Sequence, residues 1–212
     1  MNKTLVFILA VAAAALGVFF YQYQQQQSEP EHALLYPQPR LLSDFELTDH
    51  NGQSFSKAQL QDKWSLFFIG YTSCPDVCPM TLQELTYIYP KLQALTNNKV
   101  QVVLVSADPK RDTVSKLNSY IRYFNPDFVA VRAEHDVLYP FTRNLGLMYA
   151  IADTNEEYYL VNHSASIVMT NPQGNIQAIF KPLPATEPGS IPSIDQEALV
   201  TDFEKIYHKL KE

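Results

Sequence analysis

Cysteine is nearly absent from this chain: two occur in 212 residues, four positions apart. A disulfide-stapled scaffold needs more of them at wider spacing, and a bridge across so short a loop removes little chain entropy. Stability therefore does not explain the pair; chemistry explains it better. A basic excess is absent too. Lys and Arg number 16 against 22 Asp and Glu, a net charge of -6, so no nucleic-acid partner is expected, because that needs a clustered basic face. Internal repeats are also missing. What remains is an ordinary globular composition, 46% hydrophobic and 18% charged, in a chain long enough to bury one domain's core without covalent help.

The N-terminus breaks that pattern. After Lys3 comes an uncharged apolar run from Leu5 to Phe20, followed by Tyr21 and Tyr23. As a helix, Leu5–Tyr23 would reach roughly 28 Å, close to the ~30 Å hydrocarbon core of a bilayer, with the tyrosines at the level of an aromatic belt. Lys3 before the run, and Glu29 and Glu31 after it, orient the remainder toward the periplasm or an equivalent exported compartment. A cleaved signal peptide, with small residues at Ala12–Ala15, is the rival reading; both export the protein. The expectation is a membrane anchor over 1–23, a flexible Gln-rich tether over 24–39, and a folded domain over 40–212.

Within that domain, Phe45–Leu47, the turn residues Asp49–Gly52 and Phe55 predict an N-terminal hairpin. Trp64–Ile69 and Val100–Ser106 are near-continuous apolar runs, as in strands buried on both faces. Between them, Thr81–Leu95 carries Leu82, Leu85, Ile88, Tyr89, Leu92 and Leu95 at helical spacing. Further helices are expected over Val114–Phe124, His135–Leu145 and Ile194–Lys209, and strands over Phe128–Val131, Tyr158–Val161, Ala165–Thr170 and Asn175–Phe180. The predicted class is α/β, a thioredoxin-like fold with an N-terminal β-hairpin extension and one N-terminal transmembrane helix.

Both cysteines fall in Tyr71-Thr-Ser-Cys74-Pro-Asp-Val-Cys78-Pro-Met80, between a buried strand and an amphipathic helix. Unpaired N–H groups and the dipole at a helix start favour thiolate over thiol. Pro75 and Pro79 fix the backbone where donors would be unpaired anyway. Thioredoxin-type oxidoreductases place two residues between their cysteines; here there are three, room for two thiolates to splay around a metal. Two thiolates suit a soft ion such as Cu(I), whereas structural zinc wants four protein ligands and no third cysteine exists.

A third ligand must come from elsewhere. His32 falls in the tether, His208 in the last helix, His50 in a hairpin turn and His135 at a helix start, all positions with ordinary surface or capping roles. Met80, opening a helix, reads as core packing. His163, in Val161-Asn-His-Ser164, sits on the link between two strands, where a thioredoxin fold faces its cysteines; by spacing alone it serves equally as ligand or as structural histidine.

Three blocks, Tyr71–Pro79, Ser106-Ala-Asp-Pro-Lys-Arg-Asp-Thr113 and Asn162-His-Ser164, resemble the signatures of the Sco/SenC family in order and spacing. The resemblance spans about Arg40–Leu210. It implies a membrane-tethered, thioredoxin-fold metallochaperone that binds copper through Cys74, Cys78 and His163 and assembles the CuA centre of cytochrome c oxidase. The implied partners are the oxidase subunit carrying CuA and other copper chaperones. Two positions depart from the family: Asn162 stands where an Asp is usual, and Ser73 where an aromatic is frequent. Asp108 and Asp112 also match a family block, but helix capping accounts for them.

The same thiols leave other readings open. Cys74 and Cys78 could be a redox-active pair that reduces the cysteines of the oxidase subunit or of another copper protein, with His163 dispensable. A copper or redox sensor is a further alternative. A thiol peroxidase on the same fold would need, by family analogy, a hydroxyl residue three before its reactive cysteine and a nearby arginine; Tyr71 in that place counts against this reading.

Overall fold

A computed structural model describes residues 3–27, 29–151, 159–183 and 194–211. Its centre is an eight-stranded mixed sheet in the order β1-β10-β9-β4-β5-β6-β2-β3. The strands are β1 (Ala33–Arg40), β2 (Glu46–Asp49), β3 (Ser54–Ser56), β4 (Trp64–Gly70), β5 (Val100–Ser106), β6 (Val129–Arg132), β9 (Ile167–Thr170) and β10 (Ile176–Phe180). A separate two-stranded sheet holds β7 (Tyr149–Ile151) and β8 (Val161–His163). The helices are α1 (Lys3–Gln27), α2 (Val77–Thr96), α3 (Val114–Phe124), α4 (His135–Leu145) and α5 (Gln196–Lys209).

The apolar runs of β4 and β5 are the reason for this plan. Every residue of both strands is buried, and they pair in parallel from Trp64 opposite Val100 to Gly70 opposite Ser106. Their side chains alternate between two cores. Trp64, Leu66 and Phe68 join Leu82, Leu85, Leu117 and Phe203 of α2, α3 and α5 on one face. Phe67 and Ile69 join Leu138, Phe141 and Leu145 of α4 and the hairpin residues Leu47 and Phe55 on the other. At about 1.5–3 kcal/mol per fully buried aliphatic or aromatic side chain, the two cores supply the bulk of the driving force. Parallel β4–α2–β5 followed by antiparallel β9–β10 and α5 is the thioredoxin arrangement expected from the element order. It places the end of β4, and the loop that follows, at the centre of one edge of the sheet.

The predicted α3 and α4 bounds coincide with the observed ones, and the β2–β3 hairpin forms as expected. Three expectations need correction. Folded structure begins before Arg40: β1 pairs antiparallel with β10, from Ala33 opposite Phe180. Pro37 and Pro39 hide this strand in the sequence, because proline is tolerated only where an edge strand has no donor to give. Residues that read as tether are also fastened to α5. The Asp202 carboxylate accepts the backbone N–H groups of Glu31, His32 and Ala33 at 2.7–2.8 Å.

The second correction concerns the membrane. Among the described residues no helix is long and apolar enough to cross a membrane, so the transmembrane helix expected over 1–23 is not supported. A helix does form there, but the apolar run Leu5–Phe20 reaches only ~24 Å, short of the ~30 Å core, and α1 ends in glutamines. The third is the strand expected over Tyr158–Val161. Tyr158 lies outside the described residues, and the strand found is β8, paired with β7 rather than with the main sheet.

Candidate metal centre

The cysteine segment leaves β4 at Gly70 and enters α2 at Val77. Cys74 lies in the loop, half-buried, with its N–H bonded to the Tyr71 carbonyl at 3.2 Å. Cys78 lies in the first turn of α2 and is 1% exposed. The pair therefore straddles the helix start rather than sharing one helical face. Asp76 occupies the cap position without a side-chain cap bond, which leaves first-turn donors directed at the loop.

His163 arrives from β8. Its Nε2 stands 3.4 Å from Cys78 Sγ, and Cys74, Cys78 and His163 offer ligand atoms that all lie within 4.8 Å of one another. Bonds of ~2.0–2.3 Å to a trigonal ion require donors roughly 3.5–4 Å apart, so the three atoms fit a small cation with minor adjustment. The ring is oriented for it. His163 Nδ1 bonds the Ser164 carbonyl at 3.1 Å; a carbonyl only accepts, so Nδ1 carries the proton and Nε2 presents its lone pair to the sulfurs. No disulfide joins the two cysteines.

The sulfurs are not equivalent. Hydrogen bonding from the Cys78 side chain, helped by the N–H groups of Cys78 and Asp76, outweighs burial and holds Cys74 down to about 4. Cys78 is pushed far upward by the same bond to Cys74 and by burial. One thiolate and one retained thiol follow.

The other sequence candidates do not converge here. His32 and His208 are exposed, and Met80 is 41% exposed in the first turn of α2. His135 bonds the Tyr149 hydroxyl at 2.8 Å. His50 sits in the hairpin turn but is buried, not a surface residue, and accepts the Ala130 N–H at Nδ1. Asn162 is exposed beside His163, on a groove of ≈ 310 Å³ between Cys74–Val77 and Leu160–Ala165. Ser73 accepts a bond from the Lys116 ammonium at 3.1 Å.

Capping does not account for the two acids of the Ser106–Thr113 block. Thr113 caps α3, accepting from the Lys116 N–H. Asp112, fully buried, instead accepts the Thr72 N–H at 3.1 Å, the Thr72 hydroxyl and the Ser106 hydroxyl at 2.7 Å. Asp108, also fully buried, accepts the Tyr159 hydroxyl at 2.6 Å and pairs with Arg111. Arg111 lies 3.6 Å over the Tyr159 ring. Tyr71 completes the surround: it meets the His163 ring edge-on at 6.0 Å, and its hydroxyl accepts the Val161 N–H at 3.3 Å. The acids stood in a recognised block, but nothing in the sequence says which distant tyrosine or threonine they hold.

The SCO1/SenC family model matches residues 35–191. This chain belongs to the SCO1/SenC family. A Stutzerimonas stutzeri protein with the provisional name copper-binding protein is 36% identical over 146 residues, 69% of this chain and 72% of its own length. The mitochondrial SCO2 homolog of Mus musculus is 35% identical over 133 residues, 62% of this chain. The chain spans about half, 52%, of that mouse protein. Among solved structures, copper-bound ScoI of Bradyrhizobium japonicum superposes with a TM-score of 0.61 at 26% identity, covering 79% of this chain and 99% of its own.

Proposed function

We propose that this protein carries copper, held by the Cys74 and Cys78 thiolates and the His163 imidazole, and delivers it to the CuA centre of cytochrome c oxidase. The observation that carries the reading is the donor set: two sulfurs and one Nε2 within 4.8 Å, soft enough for Cu(I) and too few for structural zinc. Cys74 offers a ready thiolate. Cys78 gives up its proton as the metal arrives, so loading releases protons. Three protein ligands leave a coordination position toward the groove beside Cys74, where an incoming ligand from the recipient can enter and take the metal by exchange. Copper-bound relatives of the same fold support the choice of metal.

The same reading puts the folded domain on the exported side of a membrane, with α1 as its attachment. Support comes from α1 itself, which leaves Phe7, Ile8, Leu9, Leu16 and Phe19 more than half exposed, a surface that calls for apolar cover.

One observation favours a second reading. An ionised, half-exposed Cys74 backed by a buried thiol is the asymmetry of an attacking and a resolving cysteine, as in a reductase acting on the recipient's thiols. The two readings part at His163. Bound copper measured in Cys74→Ser, Cys78→Ser and His163→Ala tests them. Carriage requires each variant to lose copper or bind it markedly more weakly; unchanged stoichiometry and affinity would sink it. Oxidase assembly that persists in His163→Ala would favour the reductase.

A further inference from the structure

The two halves of the metal site hang from different parts of the fold. Cys74 and Cys78 follow directly from the central strand β4, whereas His163 rides on β8, which among the described residues pairs with β7 and not with the eight-stranded sheet. Side-chain contacts must therefore hold the hairpin against the cysteine loop. On its β7 side, the Tyr149 hydroxyl meets His135 of α4. On its β8 side, Val161 N–H reaches Tyr71, and Tyr159, four residues before His163, donates to Asp108 at 2.6 Å.

We propose that Asp108, Arg111 and Tyr159 are positioning residues that clamp β8 to the β5–α3 loop and so set the reach of His163 to the cysteine pair. The proposal rests on the copper-carrier reading of the site. The β5–α3 loop is well placed for the task because it grips both halves. Asp112 holds Thr72, two residues before Cys74, while Asp108, four positions earlier on the same loop, holds Tyr159. One short segment thus keeps the cysteine loop and the histidine strand in register. The clamp is layered: the Arg111 guanidinium lies over the Tyr159 ring at 3.6 Å, pairs with Asp108 beneath it and stands 5.6 Å from the centre of the Tyr71 ring. Asp108 is wholly buried and Tyr159 8% exposed, so the hydrogen bond between them is shielded from competing water. None of the three residues is among the grouped metal donors. They act through His163, as outer residues that orient a metal-bound imidazole do.

Tyr159→Phe removes the hydroxyl and keeps the ring under Arg111, leaving Asp108 its guanidinium partner. Cu(I) affinity, read by competition with a chromophoric chelator on the full chain in mild detergent, is compared for Tyr159→Phe, His163→Ala and the double variant. Amide hydrogen exchange of the metal-free proteins is read alongside. Tyr159→Phe is expected to weaken copper binding by ~10-fold and to speed exchange in the β7–β8 hairpin while β4 and β5 stay protected. With His163 already replaced, the added loss should shrink toward nothing, since the clamp then has no ligand to place. An equal loss in both backgrounds, or hairpin exchange unchanged by Tyr159→Phe, overturns the proposal. Should His163→Ala bind copper as the parent does, the copper reading fails on its own, and the hairpin exchange still decides the clamp.

Discussion

Cys78 Sγ and His163 Nε2 lie 3.4 Å apart although 85 positions separate them in the chain. That contact makes Cys78 the interior member of the pair and turns Cys74, half-buried in the loop, toward the groove. The charge follows the same division, with Cys74 held down to about 4 by the bond from Cys78. Iodoacetamide should therefore alkylate Cys74 of the reduced, metal-free protein at a nearly constant rate from neutral pH down to about pH 5. The rate should fall by half near pH 4, where a free thiol would fail near pH 8.5. Cys78 should stay unmodified until the protein unfolds. Peptide mapping by mass spectrometry reads both, and a Cys74 midpoint near that of a free thiol would contradict the assigned asymmetry.

Gly70 ends β4 directly beneath this pair. A Cβ added there would lie 2.7 Å from Cys78 Sγ and 3.1 Å from Leu104 Cδ1. Neither can withdraw freely: Cys78 is fixed in the first turn of α2, and Leu104 is fully buried in β5. Gly70→Ala should cost about 1–3 kcal/mol in urea unfolding as an overpacked core does. The thiol should also shift away from His163, so copper affinity should fall more steeply than stability alone accounts for. A variant as stable as the parent, with its copper affinity intact, would show that the backbone has room that the structure denies it.

Much of this was legible in the sequence, for identifiable reasons. The buried runs Trp64–Ile69 and Val100–Ser106 and the helical spacing of Leu82 to Leu95 fix local structure by periodicity alone, and the cysteine loop lies between them by adjacency. His163 could be singled out by its place between two strands but assigned only through the family pattern. The reason is that its closeness to Cys78 depends on β8 folding onto the cysteine loop, a contact with no local signature. The same holds for β1, masked by Pro37 and Pro39, and for Asp108 and Asp112, whose acids look like helix caps until Tyr159 and Thr72 are seen beside them. The apolar length of α1 misled in the other direction, since the tyrosines after Phe20 lengthen the run on paper while glutamines fill the turns around them.

His50 provides a pH handle remote from the sulfurs. Burial holds it below its ordinary value of 6.5, and its Nδ1 must keep a lone pair to accept the Ala130 N–H at 3.2 Å. The unfolded chain takes up this proton near pH 6.5, the folded chain only at lower pH. Below about 6.5 the unfolded state therefore binds more protons, and folding stability falls as pH falls toward the folded value; above it the contribution is constant. Urea midpoints measured from pH 7.5 down to about pH 5 should show this decline, and His50→Asn, which keeps an acceptor for Ala130, should flatten it. An equal decline in the variant would assign the acid sensitivity to other groups.

Asp112 ties the cysteine loop to the end of β5, and its contribution can be divided. The fully buried carboxylate accepts from Ser106 at 2.7 Å and from the Thr72 N–H at 3.1 Å through one oxygen, and from the Thr72 hydroxyl through the other. Its contact with Lys116 is 3.8 Å long and 44% exposed on the lysine side, so that ion pair adds little. Asp112→Ala strands three donors in a buried place and should cost about 2–4 kcal/mol in urea unfolding. Asp112→Asn keeps one accepting oxygen and should cost roughly half as much. Because Thr72 lies two residues before Cys74, both variants should also raise Cys74 alkylation rates at neutral pH by loosening the loop. A loss as small as that of a surface substitution in Asp112→Ala would mean that the loop is held by β4 and α2 alone, with the acid as a passenger.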